Sequence, residues 1–316
     1  MTQLAIVQRP PVFLDKQKTI ELAVDSIKEA AGNGADLVVF TECFISAYPA
    51  WVWRLRPGLD WDLSSELHQR LLRSAVNLDS DDLVPLYEAA KKYQLTIVCG
   101  IEERDNKLAQ STLYNTVVTI GPDGSLLNRH RKLMPTNPER MVWGFGDATG
   151  LKVVDSSAGR IGSLLCWENF MPLARYALYS QGIEIYIAPT YDSGDSWITS
   201  MQHIAREGCC WVVGCGNLMK GSDIPDDLPG KDSLYPDVDE WINPGDSIVI
   251  APGGEIVAGP MTKESGILYH KLDLEKVAEA KRAFDVTGHY SRPDIFQLHV
   301  NTREQMPCVF EDKNSE

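Results

Sequence analysis

The sequence has little positive charge and no long apolar run. Its 316 residues include 30 lysines and arginines against 44 aspartates and glutamates, which gives a net charge of -14. Proteins that bind nucleic acid or anionic lipid need basic surface to neutralise phosphates. No apolar stretch approaches the roughly 20 residues that span a bilayer. The sequence therefore argues against a nucleic-acid partner and a membrane partner, and solubility accounts for the acidity.

A targeting segment is also missing. The N-terminal stretch MTQLAIVQRPPVF has no basic n-region and no small-residue cleavage site, and its apolar run stops at Pro10 and Pro11. We therefore predict a soluble, cytoplasmic protein.

Paired cysteines and histidine ligand motifs are absent. The seven cysteines are odd in number and form no CxxC pair, so neither a disulfide framework nor a zinc ribbon is indicated. Several lie in apolar runs such as TIVCG (96–100), where a cysteine is usually a small hydrophobe. The six histidines are scattered, without HExxH. We expect no metal and no cofactor.

What the chain does contain is an alternation of strand-like runs and amphipathic helical stretches. Hairpins are predicted around Pro122-Asp123-Gly124 and Ala158-Gly159, a long loop over 217–245, and an irregular tail after 285. Strands and helices in both β-α and hairpin order favour a layered α/β fold with two sheets. We predict a single domain, residues 1–300, followed by a short C-terminal tail, 301–316.

Cys166 ends the apolar segment RIGSLLC (160–166), which we predict to be a strand that runs directly into a helix at about 170–181. The thiol would then lie just before a helix N-terminus, where unpaired N–H groups and the helix dipole lower a cysteine pKa from about 8.5. Those N–H groups, including that of Trp167, can also stabilise charge that develops on a substrate atom. The position is typical of a nucleophile, but a buried structural cysteine fits it as well.

Glu42 and Lys132 each follow a predicted strand. Glu42 comes after ADLVVFT (35–41), at the carboxyl end of a buried strand, where α/β enzymes place their sites. Burial there would raise its pKa toward a value that suits a general base. Lys132 lies in NRHRKLMP (128–135), a basic cluster in an acidic protein. Taken alone, an exposed loop glutamate and a solvated basic turn are the simpler interpretations.

Three long segments together resemble the nitrilase superfamily, specifically its nitrilase branch. They are GADLVVFTECFISAYP (34–49), HRKLMPTNPERMVWGFGD (130–147) and CWENFMPLARYAL (166–178), and GHYSRPDIFQL (288–298) adds to them. Their order and spacing also fit, and the resemblance runs from the first strand to about residue 300. One such motif would be weak evidence, whereas three in register are strong evidence.

The resemblance implies a fold and a set of roles. The fold is an α/β, four-layer α-β-β-α sandwich with two mixed sheets, whose subunits pair across the helices after Cys166 and after Asp195 into homodimers or larger homo-oligomers. Glu42 is implied as the general base, Lys132 as the cation and Cys166 as the nucleophile. Glu139, in Pro-Glu-Arg, is implied as the second glutamate, which positions the lysine and the substrate.

The activity implied is hydrolysis of a small organic nitrile to the carboxylic acid and ammonia through a thioimidate and a thioester. CWEN followed by Met-Pro is similar to true nitrilases, but an amidase, a carbamoylase or a cyanide-hydrolysing member would use the same groups. A catalytically silent scaffold would normally have lost one of the four residues. A cysteine peptidase would need a histidine base, which no motif here suggests.

Some positions depart from the family pattern. Thr41 replaces a common proline, Ser163 stands where a small or amide residue is usual, and Ala148 replaces a glycine. None of these changes removes a catalytic group. The tail after residue 300 is short for the nitrilase branch, which argues against long filaments.

Aromatic residues near the motif loops predict an aromatic-lined pocket that suits an apolar or aryl-bearing nitrile. Core or interface packing is the alternative for at least half of these residues. The predicted substrate-binding residues are Tyr48, Trp53, Trp143, Trp167, Thr190 and Tyr191.

Overall fold

A computed structural model describes residues 1–107, 110–306 and 308 of the chain. The strands are β1 (Thr2–Gln8), β2 (Leu37–Phe40), β3 (Thr96–Arg104), β4 (Leu113–Ile120), β5 (Leu126–Arg131), β6 (Val154–Ser156), β7 (Gly159–Ser163), β8 (Ile185–Thr190), β9 (Trp211–Gly216), β10 (Leu218–Lys220), β11 (Trp241–Ile250), β12 (Ile256–Thr262) and β13 (Gly266–Leu272). The helices are α1 (Lys16–Gly32), α2 (Trp61–Ser74), α3 (Val84–Tyr93), α4 (Pro172–Tyr179), α5 (Asp195–Gly208), α6 (Lys231–Leu234) and α7 (Glu275–Ala283).

The strands form two mixed sheets. The first has the order β13-β1-β2-β3-β4-β5, and the second the order β10-β11-β9-β8-β7-β6 with β12 paired to β11. In the first sheet β1, β2 and β3 are parallel, while β4 is antiparallel to both β3 and β5. The carboxyl ends of β2 and β5 therefore lie at the same edge. In the second sheet β7, β8 and β9 are parallel.

Alternate side chains of each central strand enter different layers. On β1, Leu4 and Ile6 pack against the second sheet, whereas Ala5 and Val7 pack under α1 and α3. This is the period of two that a strand with both faces buried requires. Each fully buried aliphatic side chain of this kind contributes about 1.5–3 kcal/mol.

Helices cover the outer face of each sheet. α1 and α3 pack on the first sheet, and α4 and α5 pack on the second. The layers therefore run helix, sheet, sheet, helix, and the predicted α-β-β-α sandwich is confirmed. None of the helices in the described part of the chain is long and apolar enough to cross a membrane.

Two local predictions were wrong. The strand before Cys166 ends at Ser163, and Cys166–Phe170 forms a 3-10 turn before α4 begins at Pro172. Cys166 has a φ of 48°, a left-handed conformation that neither a strand nor a helix continues. The segment 217–245, predicted as a long loop, contains β10, α6 and the start of β11.

The structure describes only part of the predicted tail. Residues 301–306 and Cys308 have no helix or strand, while 307 and 309–316 lie outside the described residues. The domain boundary near residue 300 stays a prediction.

Gly100 lets the segment after β2 lie directly on β3. A Cβ built at Gly100 would lie 2.3 Å from the carbonyl oxygen of Thr41, 2.6 Å from the nitrogen of Cys43 and 2.8 Å from the Cα of Glu42. Ile45 then donates its N–H to the Gly100 oxygen at 3.2 Å. The absence of a side chain at this position fixes where Glu42 leaves the sheet.

We predict that Gly100→Ala lowers the free energy of unfolding by about 1–3 kcal/mol, because the added methyl group meets backbone atoms that cannot move aside. Gly253→Ala is the matched control, since a Cβ there meets nothing within 4 Å. The control should change stability by less than about 0.5 kcal/mol. Urea unfolding measures both, and equal midpoints for the two variants would contradict the argument.

Candidate active site

Three chain segments that the sequence analysis singled out converge at one end of the sandwich. Glu42 follows β2, Lys132 follows β5, and Cys166 follows β7 of the other sheet. The two sheets are joined here, because the backbone N–H of Tyr191, just after β8, donates to Glu42 Oε2 at 2.6 Å. The site therefore lies at the carboxyl ends of strands from both sheets, as in other α/β enzymes.

Lys132 lies between two carboxylates. Its Nζ donates to Glu42 Oε1 at 2.8 Å and to Glu139 Oε2 at 2.8 Å. The three side chains are each at most 1% exposed. Charge-assisted hydrogen bonds of this kind are about twice as strong as neutral ones, and they hold the ammonium group in one place.

The Glu42 carboxylate accepts three hydrogen bonds. Besides Lys132, Asn115 Nδ2 donates to its Oε1 at 2.6 Å, while Tyr191 N occupies Oε2. Asn217 Nδ2 donates to its backbone oxygen at 3.0 Å. These contacts fix the orientation of the carboxylate without relying on the substrate.

Hydrogen bonds also fix the Glu139 carboxylate, one of them from its own loop. Thr136 and Glu139 form a capping box at the start of a 3-10 turn, with Thr136 N donating to Glu139 Oε2 at 2.6 Å. Tyr48 donates its hydroxyl to Glu139 Oε1 at 2.7 Å, and Trp53 Nε1 donates to that hydroxyl oxygen at 2.9 Å.

The electrostatics of the cluster follow from burial and a surplus of negative charge. Burial raises the pKa of Glu42, and Glu139 raises it further, while Lys132 opposes them. Burial would lower the pKa of Lys132, but Glu42, the Cys166 sulfur and Glu139 outweigh it and raise that pKa well above its usual value. Lys132 therefore stays protonated.

The pKa of Cys166 is raised, contrary to the sequence-based expectation of a lowered one. Burial is the main cause and Glu42 the next, while Lys132 and a hydrogen bond with Thr190 oppose them. The expected α-helix N-terminus does not follow Cys166 directly, because α4 starts six residues later. The resting form is therefore a neutral thiol, close enough to Glu42 for that carboxylate to raise its pKa.

Cys166 lines a cavity of about 230 Å³. Four of the predicted substrate-binding residues, Tyr48, Trp53, Trp167 and Tyr191, line it too. Tyr48 and Tyr191 stack with ring centroids 3.8 Å apart. Substrate contact by these four residues stays a prediction.

Trp143 and Thr190 are not among the residues that line this cavity. Trp143 is buried behind Tyr48, with the two rings edge to face at 5.5 Å, and lies 5.7 Å from Lys132 Nζ. Thr190 is the last residue of β8 and accepts the N–H of Asp192 at 2.8 Å. Trp143 supports the site from behind Tyr48, whereas Thr190 contacts the Cys166 sulfur through a hydrogen bond.

The structure also brings in residues that the sequence analysis did not select. Asn115 and Asn217 anchor Glu42, and Asp192 accepts the indole N–H of Trp167 at 2.8 Å at the cavity. Each is a single polar residue outside any recognisable motif, so the sequence pattern does not identify it as a site residue. The Thr136-x-x-Glu139 spacing, in contrast, is a readable capping signal.

A third buried carboxyl lies just outside the cluster. Glu102, on β3, accepts the indole N–H of Trp143 at 2.7 Å and also contacts the Cys43 thiol. Burial raises its pKa to about 8, the contacts with Trp143 and Cys43 oppose the rise, and the negative charges of Glu42 and Glu139 add to it. Glu102 is therefore protonated at neutral pH and adds no further charge beside the site.

The chain has clear relatives. Residues 3–282 match the family model described as carbon-nitrogen hydrolase. Nitrilase 2 of Arabidopsis thaliana is 39% identical over 320 residues, which cover 99% of this chain and 92% of that protein. The bifunctional nitrilase/nitrile hydratase NIT4B of Nicotiana tabacum is 39% identical over 315 residues, covering 98% and 89%.

Solved structures agree on the fold. A carbon-nitrogen hydrolase from Helicobacter pylori superposes with a TM-score of 0.70 at 21% identity, over 93% of this chain and 96% of that one.

We predict that Glu102→Gln changes how stability depends on pH. The wild-type folded state keeps a proton on Glu102 that the unfolded chain loses above its ordinary pKa of 4.5, up to the folded value of about 8. Wild-type stability should therefore fall by about 1.4 kcal/mol per pH unit across this window, relative to the glutamine variant. Urea unfolding between pH 5 and pH 9 tests this.

The control for loss of one negative charge is Glu66→Gln, at an exposed position of α2. Parallel stability curves for wild type and Glu102→Gln would show that Glu102 is ionised throughout.

Proposed function

Because the chain belongs to the carbon-nitrogen hydrolase family, we propose that it hydrolyses an organic nitrile to the carboxylic acid and ammonia. Cys166 is the nucleophile, Glu42 the general base and Lys132 the cation. The observation that carries the proposal is the ammonium group of Lys132, fixed at 2.8 Å from both Glu42 and Glu139 beside a cysteine that lines a small cavity. The relatives named as nitrilases, at 39% identity over nearly the whole chain, support the choice of nitrile.

The first step is attack on the nitrile carbon. The Cys166 thiol gives its proton to Glu42 as its sulfur forms the S–C bond. One π bond of the nitrile breaks, and its electron pair moves to the nitrogen. The two carboxylates, Lys132 and the neutral thiol carry a net charge of -1 before the step, and moving the proton from Cys166 to Glu42 leaves the total charge of these groups and the nitrile unchanged. A free thiolate beside two carboxylates would be far more costly.

The growing charge on nitrogen needs a nearby cation and donor. Lys132 supplies the cation, and the backbone N–H of Trp167 supplies a second donor. Glu42 returns its proton to the nitrogen, and the product is a covalent thioimidate. Glu139 positions Lys132 for this role, because it holds Nζ from the side opposite Glu42.

Water then completes the reaction. Glu42 takes a proton from a water molecule that attacks the thioimidate carbon, and a tetrahedral intermediate forms. Expulsion of ammonia leaves a thioester, and a second water releases the acid and restores the thiol. If the tetrahedral intermediate expels the thiolate instead, the product is an amide. The relative named as a bifunctional nitrilase/nitrile hydratase supports amide release as a second route.

The cavity favours a compact substrate. At about 230 Å³ it is smaller than the 300–1,000 Å³ typical of ligand sites, and aromatic side chains form much of its wall. Trp53 and Trp167 are 45% and 49% exposed, which leaves apolar surface for a substrate to cover. We therefore propose a small aryl-bearing or apolar nitrile.

We predict that the purified protein releases acid and ammonia from at least one nitrile among phenylacetonitrile, benzonitrile and an aliphatic dinitrile. The panel also contains cyanide and simple amides, and both carbon products and ammonia are quantified. Cys166→Ala should abolish turnover, whereas Cys210→Ala, a buried cysteine under α5, should keep it. Turnover of amides alone would make the protein an amidase, and faster aliphatic than aryl turnover would remove the aryl proposal.

We further propose that two copies associate through α4 and α5. Leu173 on α4 is 65% exposed, and Phe170 just before it is 42% exposed, which leaves apolar surface next to the site for a partner subunit to cover. Sedimentation velocity should give a mass of at least twice 35.2 kDa. Leu173→Glu should lower the measured mass toward that of a single chain. A wild-type protein that sediments as a monomer would contradict the proposal.

A further inference from the structure

Glu168 connects the segment that carries the cation to the segment that carries the nucleophile. Its side chain is completely buried. Its Oε1 accepts the backbone N–H of Leu133 at 2.6 Å, and its Oε2 accepts the backbone N–H of Leu165 at 2.7 Å. Leu133 directly follows Lys132, and Leu165 directly precedes Cys166. One carboxylate therefore holds both segments by their backbones.

His130 completes this arrangement. It lies on β5, two residues before Lys132, and its side chain is also completely buried. Its Nε2 lies 3.2 Å from each oxygen of Glu168. Since a carboxylate only accepts hydrogen bonds, Nε2 carries the proton and donates between the two oxygens. The other ring nitrogen, Nδ1, is buried without a hydrogen-bond partner.

Three donors converge on this one side chain, and only a carboxylate can accept from all of them. A glutamine would keep one acceptor oxygen but would turn its NH₂ group toward a backbone N–H or the ring N–H. A buried donor would then lose its partner, at the cost that unsatisfied polar groups carry in the interior. The side-chain type is therefore dictated by the number of donors.

The turn that Glu168 holds sets the direction of the nucleophile. Cys166 has a φ of 48°, which is unusual for a residue other than glycine, so its conformation depends on the surrounding contacts. Asn169 Nδ2 donates to the Cys166 oxygen at 2.6 Å and supports the turn from its other end. The end of the Lys132 side chain is fixed by Glu42 and Glu139, while Glu168 fixes the backbone next to it.

We propose that Glu168, supported by His130, is a positioning residue that fixes the Cys166 turn relative to Lys132. It touches neither the sulfur nor the ammonium group and acts through the backbone on either side of them. The kinetic part of this inference rests on the proposed nitrile hydrolysis. The part that concerns the reactivity of the Cys166 thiol does not require that the protein hydrolyses a nitrile.

The test is Glu168→Gln in the full chain, with two readouts. On the best nitrile of the panel, kcat should fall by about 100-fold while KM stays within about threefold, because a nucleophile displaced by about 1 Å attacks poorly although the cavity still binds. Alkylation of Cys166 by iodoacetamide, followed by peptide mass spectrometry, should slow in the same variant. Circular dichroism establishes that the sample is folded.

Asp82→Asn is the matched control for loss of a carboxylate that accepts a backbone N–H. Asp82 lies on the turn before α3 and accepts from Asn77 N at 2.8 Å and from Lys16 Nζ at 2.7 Å. This variant should unfold at lower urea but keep the wild-type kcat and alkylation rate. His130→Gln is the second test variant, since it keeps the carboxylate and both of its backbone bonds, and it should lower kcat by about tenfold.

A folded Glu168→Gln protein with kcat and alkylation rate within about threefold of wild type would overturn the proposal. If Glu168→Gln does not fold, wild-type kinetics in His130→Gln would overturn it instead. If wild type hydrolyses no nitrile, the proposed function fails, and the alkylation rates alone decide whether Glu168 positions Cys166.

Discussion

The site depends on a single buried cation shared by two buried carboxylates. Burial disfavours the charged form of Lys132, but the negative charges around it raise its pKa, and Lys132 in turn lowers the pKa of Glu42 against the effect of burial. Loss of Lys132 would leave both buried carboxylates without a cation. Further donors, Asn115 and the backbone of Thr136 among them, hold the two carboxylates in place. The cluster is rigid before any substrate arrives, which favours catalysis by preorganised charge.

The sandwich positions this cluster because the ends of strands from both sheets meet at one place. β2 and β5 deliver a carboxylate and the lysine from the first sheet, and β7 delivers the cysteine from the second. The glycine at position 100 allows the segment after β2 to lie against β3. A small cavity lined by aromatic side chains remains above the sulfur.

The sequence was sufficient to predict the layers and to single out side chains that the fold brings together, because both leave strong local signals. Period-two apolar runs predict buried strands, and three long motifs in register indicate the family. The conformation of Cys166 was missed because a left-handed φ at a cysteine depends on contacts made by Glu168 and Asn169, which no periodicity shows. The placement of Trp143 behind Tyr48 was missed for a related reason. An aromatic residue near a motif is equally compatible with the wall of a cavity and the layer behind it, and only packing decides between them.

The hydrogen bond from the Tyr191 backbone to Glu42 crosses from one sheet to the other. Glu42 thus follows a strand of the first sheet and accepts hydrogen bonds from both sheets. The distance between the sheets is set by the side chains of the layer between them, such as Ile6, Val39, Ile187 and Val213. Residues of this layer that line no cavity therefore still affect the position of the Glu42 carboxylate. A change in the thickness of the layer would pull Glu42 away from Tyr191, so the packing between the sheets and the geometry of the site are mechanically coupled.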